Sequence, residues 1–354
     1  MDDFVLQTDI NLIVSRLGSK LKAFSGKRTL VTGGRGFLGR YFSSIFASYN
    51  EQLKLEGMEP CELVILDNFI TSGSGGSKLP KIPNMAFVEH DVIKPFYPER
   101  PVDFIIHAAG IASPFYYRKY PLETLEVATT GLKNVLELAR KNPNSKLIFF
   151  SSSEIYGDPS TDHIPTTEDY RGNVSCLGPR ACYDESKRLG ETLVRIYHEQ
   201  FGVHACSVRP FNVFGPGMQK TDYRVLPNFG VKILNGDPVQ IYGTGDQTRT
   251  FCYITDAMCG FLQVLLDGHP GESYNIGNPS PEISMIDFAA RIGKVLNREV
   301  KFEIINYPSS YPGDEPNRRC PDITKARNHL GFEPVIDLDY GLKSFFGWAE
   351  KAYT

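Results

Sequence analysis

The chain predicts an α/β fold, with a doubly wound parallel sheet over residues 27–209, a smaller α/β domain over 210–354 and a short extension over 1–26. Three observations carry that prediction. Short apolar runs recur through 27–209 with helical periodicity between them. The runs are apolar at successive positions, as strands covered by helices on both faces must be. After Arg209 the texture changes to frequent Pro and Gly between short elements, which sets the C-terminal part off as a smaller domain.

Taken in order, residues 1–26 mix apolar and charged positions and predict one or two helical turns packed on the surface. Thr29-Leu30-Val31 is the first strand and runs straight into Thr32-Gly33-Gly34-Arg35-Gly36-Phe37-Leu38-Gly39. Leu63-Val64-Ile65-Leu66 is the second and ends at Asp67, with the polar stretch 50–60 as a long connection before it. A loop rich in Gly and Ser follows over 71–81, expected to be mobile and near a ligand. Ala86-Phe87-Val88, Phe104-Ile105-Ile106, Leu147-Ile148-Phe149-Phe150 and Cys206-Ser207-Val208 complete the series. A helix opens near Tyr183, with apolar positions continuing through Leu189, Leu193 and Ile196.

The first loop carries chemistry. Gly33, Gly36 and Gly39 are spaced G-x-x-G-x-x-G directly after a strand and at the start of a helix. The first glycine permits the tight turn, the second lets backbone approach a pyrophosphate, and the third lets helix pack on strand. The helix N-terminus then offers unpaired N–H groups to phosphates. Alone, such a motif is often an ordinary turn. Asp67, ending the second strand, makes it specific: its carboxylate suits the two ribose hydroxyls of NAD and repels the 2′-phosphate of NADP. The sheet is thus of the Rossmann type, with NAD as cofactor. Phe37, Leu38, Asn68, Asp91, Val92, the segment Ala108-Ala109-Gly110, Tyr183 and Lys187 are its further expected contacts, Asp91 at the adenine.

Tyr183 and Lys187 stand four apart, one turn above each other on one helix face. An ammonium beside a phenol favours phenolate, giving a base that takes a proton from a hydroxyl while hydride leaves for NAD. The bland alternative is a solvated Tyr and Lys. Against it, the pair follows a strand ending in Ser151-Ser152-Ser153, from which Ser152 can hydrogen-bond the same hydroxyl.

Composition excludes other classes. Lys and Arg number 38 against 41 acidic residues, a net charge of −3, which lacks the basic excess of a nucleic-acid or membrane-surface binder. Seven scattered cysteines without C-x-x-C spacing, and histidines without ligand spacing, predict no metal and a reducing, cytoplasmic setting. No signal peptide or membrane span is expected.

Several segments occur together in the order seen in the extended short-chain dehydrogenases, the NAD-dependent epimerase/dehydratase type. They are Gly33–Gly39, His107-Ala108-Ala109-Gly110, Ser152–Gly157, the Tyr183/Lys187 pair, Arg209-Pro210-Phe211-Asn212 and Gln247-Thr248-Arg249-Thr250-Phe251. The resemblance runs from about Lys27 to Gly347 and implies an enzyme that oxidises C4 of a nucleotide-linked sugar. Within the family, Ser152-Ser153-Glu154-Ile155-Tyr156-Gly157-Asp158-Pro159 is similar to the group that decarboxylates UDP-glucuronate. So are Gly178-Pro179-Arg180-Ala181-Cys182-Tyr183-Asp184-Glu185 and Asp314–Ile323. That likeness implies catalytic roles for Tyr183, Lys187, Ser152, Ser153, Glu154 and Arg319, the arginine meeting the sugar carboxylate or the enolate left by its loss. It implies substrate contacts at Ser113, Arg180, Asn212, Arg224, Tyr242, Arg249 and Arg319, with a structural ion pair an even alternative for Arg224.

Ser153 stands where 4,6-dehydratases carry an acid, so that reaction ranks below 4-epimerisation, which begins with the same oxidation. A silent NAD-binding sensor is the non-enzymatic alternative, disfavoured because Ser152, Tyr183 and Lys187 are all present. One departure is Ala128, where family members usually have asparagine. The resemblance also implies a homodimer through helices around Leu122–Lys141 and Tyr183–Gln200.

Overall fold

The computed structural model describes residues 4–72, 81–307 and 315–353. Most of the Gly/Ser-rich loop, and Asp314, therefore lie outside the described residues. Six strands form in the order read from the sequence: β1 (Arg28–Thr32), β2 (Glu62–Asp67), β3 (Met85–Glu89), β4 (Phe104–His107), β5 (Lys146–Phe150) and β6 (His204–Pro210). Together with Ser273–Ile276 they make one parallel sheet, ordered Ser273–Ile276, β6, β5, β4, β1, β2, β3. Parallel pairing demands a crossover between strands: α2 (Phe37–Leu55) supplies it from β1 to β2 on one face, where α1 (Gln7–Leu17) also packs, and α5 (Leu132–Lys141) and α6 (Ala181–Phe201) supply it from β4 to β5 and from β5 to β6 on the other. Between β4 and α5 lie α3 (Pro114–Lys119), α4 (Pro121–Glu126) and a π turn, Val127–Gly131.

Alternate strand residues feed two cores. Val31, Ile65, Ile106 and Ile148 pack under α2, while Leu30, Val64, Ile105 and Leu147 pack under α5 and α6. Edge strand β3 departs from the two-sided expectation, being half exposed because only one neighbour covers it. The winding reverses between β1 and β4, so the loops leaving their carboxyl ends splay and open a crevice there.

The N-terminal segment differs from the surface turns predicted for it. Ile10, Ile13, Val14 and Leu17, spaced i, i+3, i+4, i+7, are buried together with Leu21 and Phe24. They pack α1 against α2 and against the helix Ile254–Asp267, so residues of this segment belong to the main core.

In the C-terminal part, Val239–Tyr242 pairs in parallel with Phe302–Ile305. Thr248–Arg249 lies between Ile283–Ser284 and Arg318–Arg319, with Arg319 opposite Arg249. The helix Leu338–Ala352 buries Trp348. Ser273–Ile276 crosses back to extend the large sheet beside β6. No helix among the described residues is long and apolar enough to cross a membrane.

Candidate active site

The glycine loop forms the floor of the crevice. Gly33 sits at φ 70° and its N–H donates to Leu66 O at 2.8 Å. A Cβ on Gly33 would stand 2.6 Å from Ala109 Cα, and one on Gly39 would stand 2.3 Å from Gly33 O. Any side chain would force apart the loop, α2 and the turn after β4. Gly36 caps α2, whose first amides lack helical acceptors.

Asp67 is held at the end of β2 by Arg35 N–H (2.8 Å), Phe69 N–H (2.8 Å) and Ser72 Oγ (3.2 Å). Asn68 donates to Asp91 at 3.2 Å. Every residue assigned to the dinucleotide in these segments lines one cleft, and so do Ser113 and Arg224, read from the sequence as sugar-side contacts. Sequence reasoning missed Tyr116, Gln219 and Asp222 on its wall. The glycine cradle, the helix start and the strand-end carboxylate together fit an NAD-type dinucleotide.

His107 is a structural residue beneath this floor. Its ring bonds Thr32 Oγ1 at 2.8 Å and Val127 O at 3.3 Å, and burial, with nearby Lys187, pushes its pKa down to about 3. The adjoining π turn buries Ala128 beneath Gly190 of α6, where a Cβ would meet Ala128 O at 3.2 Å.

Tyr183 and Lys187 face inward from α6, both buried. Ser152, at the end of β5, caps the turn Ser153–Tyr156 by accepting Glu154 N–H at 3.2 Å, and its hydroxyl also bonds the Tyr183 phenol. Lys187 Nζ donates to Phe150 O at 2.7 Å and lies 5.7 Å from the Tyr183 ring centre. The electrostatics differ from the lowered phenol that the spacing suggested. Burial raises the Tyr183 pKa, opposed by the Ser152 hydrogen bond, and burial pushes Lys187 down to about 8. The lysine spends its short bond on the strand carbonyl, so desolvation decides both values. Tyr117, unassigned from the sequence, stacks on Tyr183 with ring centres 5.5 Å apart. Its hydroxyl and that of Ser113 are buried without protein partners.

Beside this pair lies a cluster of charge. Glu154 accepts from Arg319 on both carboxylate oxygens, through Nη2 at 2.8 Å and through a shorter contact from Nη1, and it also accepts from Arg180. Arg180 reaches Glu315 at 2.8 Å, and Arg249 reaches the other Glu315 oxygen at 2.5 Å. Arg180 and Arg319, expected from the sequence, thus meet on Glu154, and Arg249 joins them through a carboxylate, Glu315, that was not assigned.

The remaining expected substrate residues do not join the cluster. Asn212, at φ 40°, donates its amide to Thr250 O at 2.8 Å and fastens two loops together. Tyr242 packs against Tyr307, with ring centres 5.7 Å apart and planes tilted by 36°. Arg224 forks onto Asp222 at 2.5 and 2.9 Å while lining the dinucleotide cleft, so it has both the ion pair and the ligand-facing position.

A parallel sheet carrying a dinucleotide crevice beside a Ser–Tyr–Lys constellation defines an oxidoreductase-type nucleotide site, and the chain belongs to the NAD dependent epimerase/dehydratase family, whose model matches residues 29–277. Among curated relatives, it is 38% identical over 326 residues to UDP-glucuronic acid decarboxylase 1 of Xenopus tropicalis, covering 92% of this chain and 72% of that one. It is 38% identical over 320 residues to UDP-glucuronic acid decarboxylase 6 of Arabidopsis thaliana, covering 90% and 87%. Among solved structures, an epimerase from Methanothermobacter thermautotrophicus superposes with a TM-score of 0.76 at 25% identity, covering 98% of this chain and 96% of that one. A variant UDP-glucuronic acid 4-epimerase from Bacillus cereus shares the fold, with a TM-score of 0.74 at 22% identity over 92% and 100%.

Proposed function

We propose that this protein decarboxylates UDP-glucuronate to UDP-xylose through a 4-keto sugar. The observation that carries the reading is the two-toothed Arg319–Glu154 pair beside Tyr183. A guanidinium suits the sugar carboxylate that leaves, and a carboxylate beside it suits the reprotonation of C5. The curated relatives support the same chemistry.

NAD, which the glycine loop and Asp67 would hold, would supply reversible hydride acceptance at C4. Tyr183 takes the proton of the C4 hydroxyl, oriented by Ser152, while Lys187 holds charge beneath the ring. The ketone so formed at C4 is β to the carboxylate and accepts the electrons released as CO2 departs. Arg319 steadies that negative charge. Glu154, or a water it orients, supplies the proton to C5, and Tyr183 returns its proton to the C4 oxygen. Ser153 brings no acid to the position from which a dehydratase protonates the 6-hydroxyl. Arg249 and Arg224 are assigned to the diphosphate, with Tyr242 near the ribose.

The working form is a homodimer in the cytoplasm. Leu122 and Leu125 of α4 and Leu189 and Ile196 of α6 are exposed on neighbouring helices, which suits burial against a second copy. Seven free cysteines suit a reducing compartment.

Incubation with UDP-glucuronate and NAD, followed by mass spectrometry and proton NMR, tests the reading. CO2 and a UDP-pentose are expected. A product of unchanged mass with an altered C4 proton signal would make the protein a 4-epimerase and overturn the proposal.

A further inference from the structure

The strand register creates an electrostatic problem at this site. Arg249 and Arg319 stand directly opposite each other on adjacent parallel strands. Both residues are buried, and so is Arg180 from the start of α6. Like charges facing across a sheet are destabilising, and buried charges need partners.

Two carboxylates separate the three guanidiniums. Glu154 joins Arg319 to Arg180, and Glu315 joins Arg180 to Arg249 at 2.8 and 2.5 Å. The result is a continuous chain, Arg249–Glu315–Arg180–Glu154–Arg319, running between the two opposed strands. Arg180 is its middle link, with Nη1 on Glu315 and Nη2 on Glu154. Asp184 also faces this link, 3.8 Å from Arg180 Nε. Burial by itself would raise the Glu315 carboxyl, but Arg249, Arg180 and Arg319 outweigh it and hold its pKa at about 2.

We infer that Glu315 is a positioning residue for the decarboxylation step: by gripping Arg180 and Arg249 it fixes Arg180 against Glu154, and so keeps Glu154 in the fork of Arg319. This rests on the decarboxylase reading of the site. Glu315 meets neither Tyr183 nor Lys187 in a hydrogen bond, so its influence is exerted on the loss of CO2 and the protonation of C5, and the C4 oxidation is left to the Ser152–Tyr183–Lys187 group. Without its charge, the balance of the chain shifts to Glu154, which is drawn off the Arg319 fork toward Arg180, where Asp184 also stands. A displacement of about 1 Å in a catalytic group can cost about a hundredfold in rate.

The test separates the two steps in Glu315→Gln and Glu315→Asp. The burst of reduced cofactor absorbance reports C4 oxidation, and labelled CO2 reports decarboxylation. At saturating UDP-glucuronate, which removes any effect through Arg249 on substrate binding, the burst rate in Glu315→Gln is expected to stay within about threefold of wild type while CO2 release falls about ten- to a hundredfold. Glu315→Asp, which keeps the charge, is expected to recover part of the CO2 rate. Equal losses in both steps, or no loss in either, would overturn the inference. Should Glu315→Gln fail to fold, Glu315→Asp decides alone: a loss confined to CO2 release supports the role and an even loss removes it. Absence of CO2 release by the wild-type protein would instead remove the decarboxylase reading itself.

Discussion

Lys187 shows how a single residue carries opposed demands. Its ammonium is buried, and desolvation pushes its pKa from 10.5 to about 8. Between those two pH values the unfolded chain holds the proton and the folded chain does not. Stability contributed by this residue therefore rises as pH climbs from 8 to 10.5, and below 8 the buried charge costs on the order of 3 kcal/mol. From pH 7 to pH 10 the stability of Lys187→Met in urea is expected to fall by on the order of 2 kcal/mol relative to wild type, which gains as its buried ammonium loses the proton, while turnover falls about 10²- to 10⁴-fold. A difference between the two proteins that stays flat over that range would show that the ammonium is better solvated than its burial implies. Tyr183→Phe is expected to lose turnover by a similar factor while cofactor titration remains unchanged, because Asp67 and the glycine loop lie apart from the phenol. Tyr183, Lys187 and Ser152 were legible in the sequence because a four-residue spacing and a strand end fix their relation locally. Glu315 was not, since its partners stand 66 and 135 residues away and only the strand register brings them together.

At the scale of elements, periodicity announces a stripe without saying what covers it. Leu189, Leu193 and Ile196 mark an apolar run on α6, yet the side buried against the sheet carries Tyr183, Lys187, Gly190, Val194 and Tyr197. Leu189 and Ile196 are exposed, beside the exposed Leu122 and Leu125 of α4. A second copy of the chain would bury this surface at about 25 cal/mol per Å² of apolar area. Leu189→Glu combined with Ile196→Glu is therefore expected to shift the sedimenting mass from twice 39.6 kDa to 39.6 kDa, with the melting profile of the monomer intact. Wild type sedimenting at 39.6 kDa would remove the dimer. In α1 the helical pattern Ile10, Ile13, Val14, Leu17 was equally present in the sequence. Its burial became visible only with the neighbouring α2 and Ile254–Asp267 in place, because a short amphipathic helix reads alike on a surface and over a core.

Across the whole molecule, α1 ties the two halves of the chain together. Asp9 is fully buried and accepts from Tyr253 OH, next to the helix Ile254–Asp267, at 2.8 Å and from Tyr41 OH, on α2, at 3.4 Å. Arg16 of the same helix pairs with Asp256 at 2.5 Å. The succession of strands β1 to β6 along the chain was legible from the run of apolar segments. This tie was not, because Asp9, Tyr41 and Tyr253 share no local spacing. Burial raises the Asp9 carboxyl to about 6 despite both tyrosine hydrogen bonds. The folded chain then keeps that proton up to about pH 6, whereas the unfolded chain releases it near 3.8. The stabilisation is complete below pH 3.8 and is lost as pH rises through 6, a change on the order of 3 kcal/mol. Asp9→Asn keeps the shape and an acceptor oxygen but never ionises. Relative to wild type it is expected to gain on the order of 3 kcal/mol in urea unfolding between pH 4 and pH 7. If the difference between the two proteins stays flat over that range, the buried carboxylate is compensated by the two phenols. The junction of α1 with both halves would then be held without a charge cost.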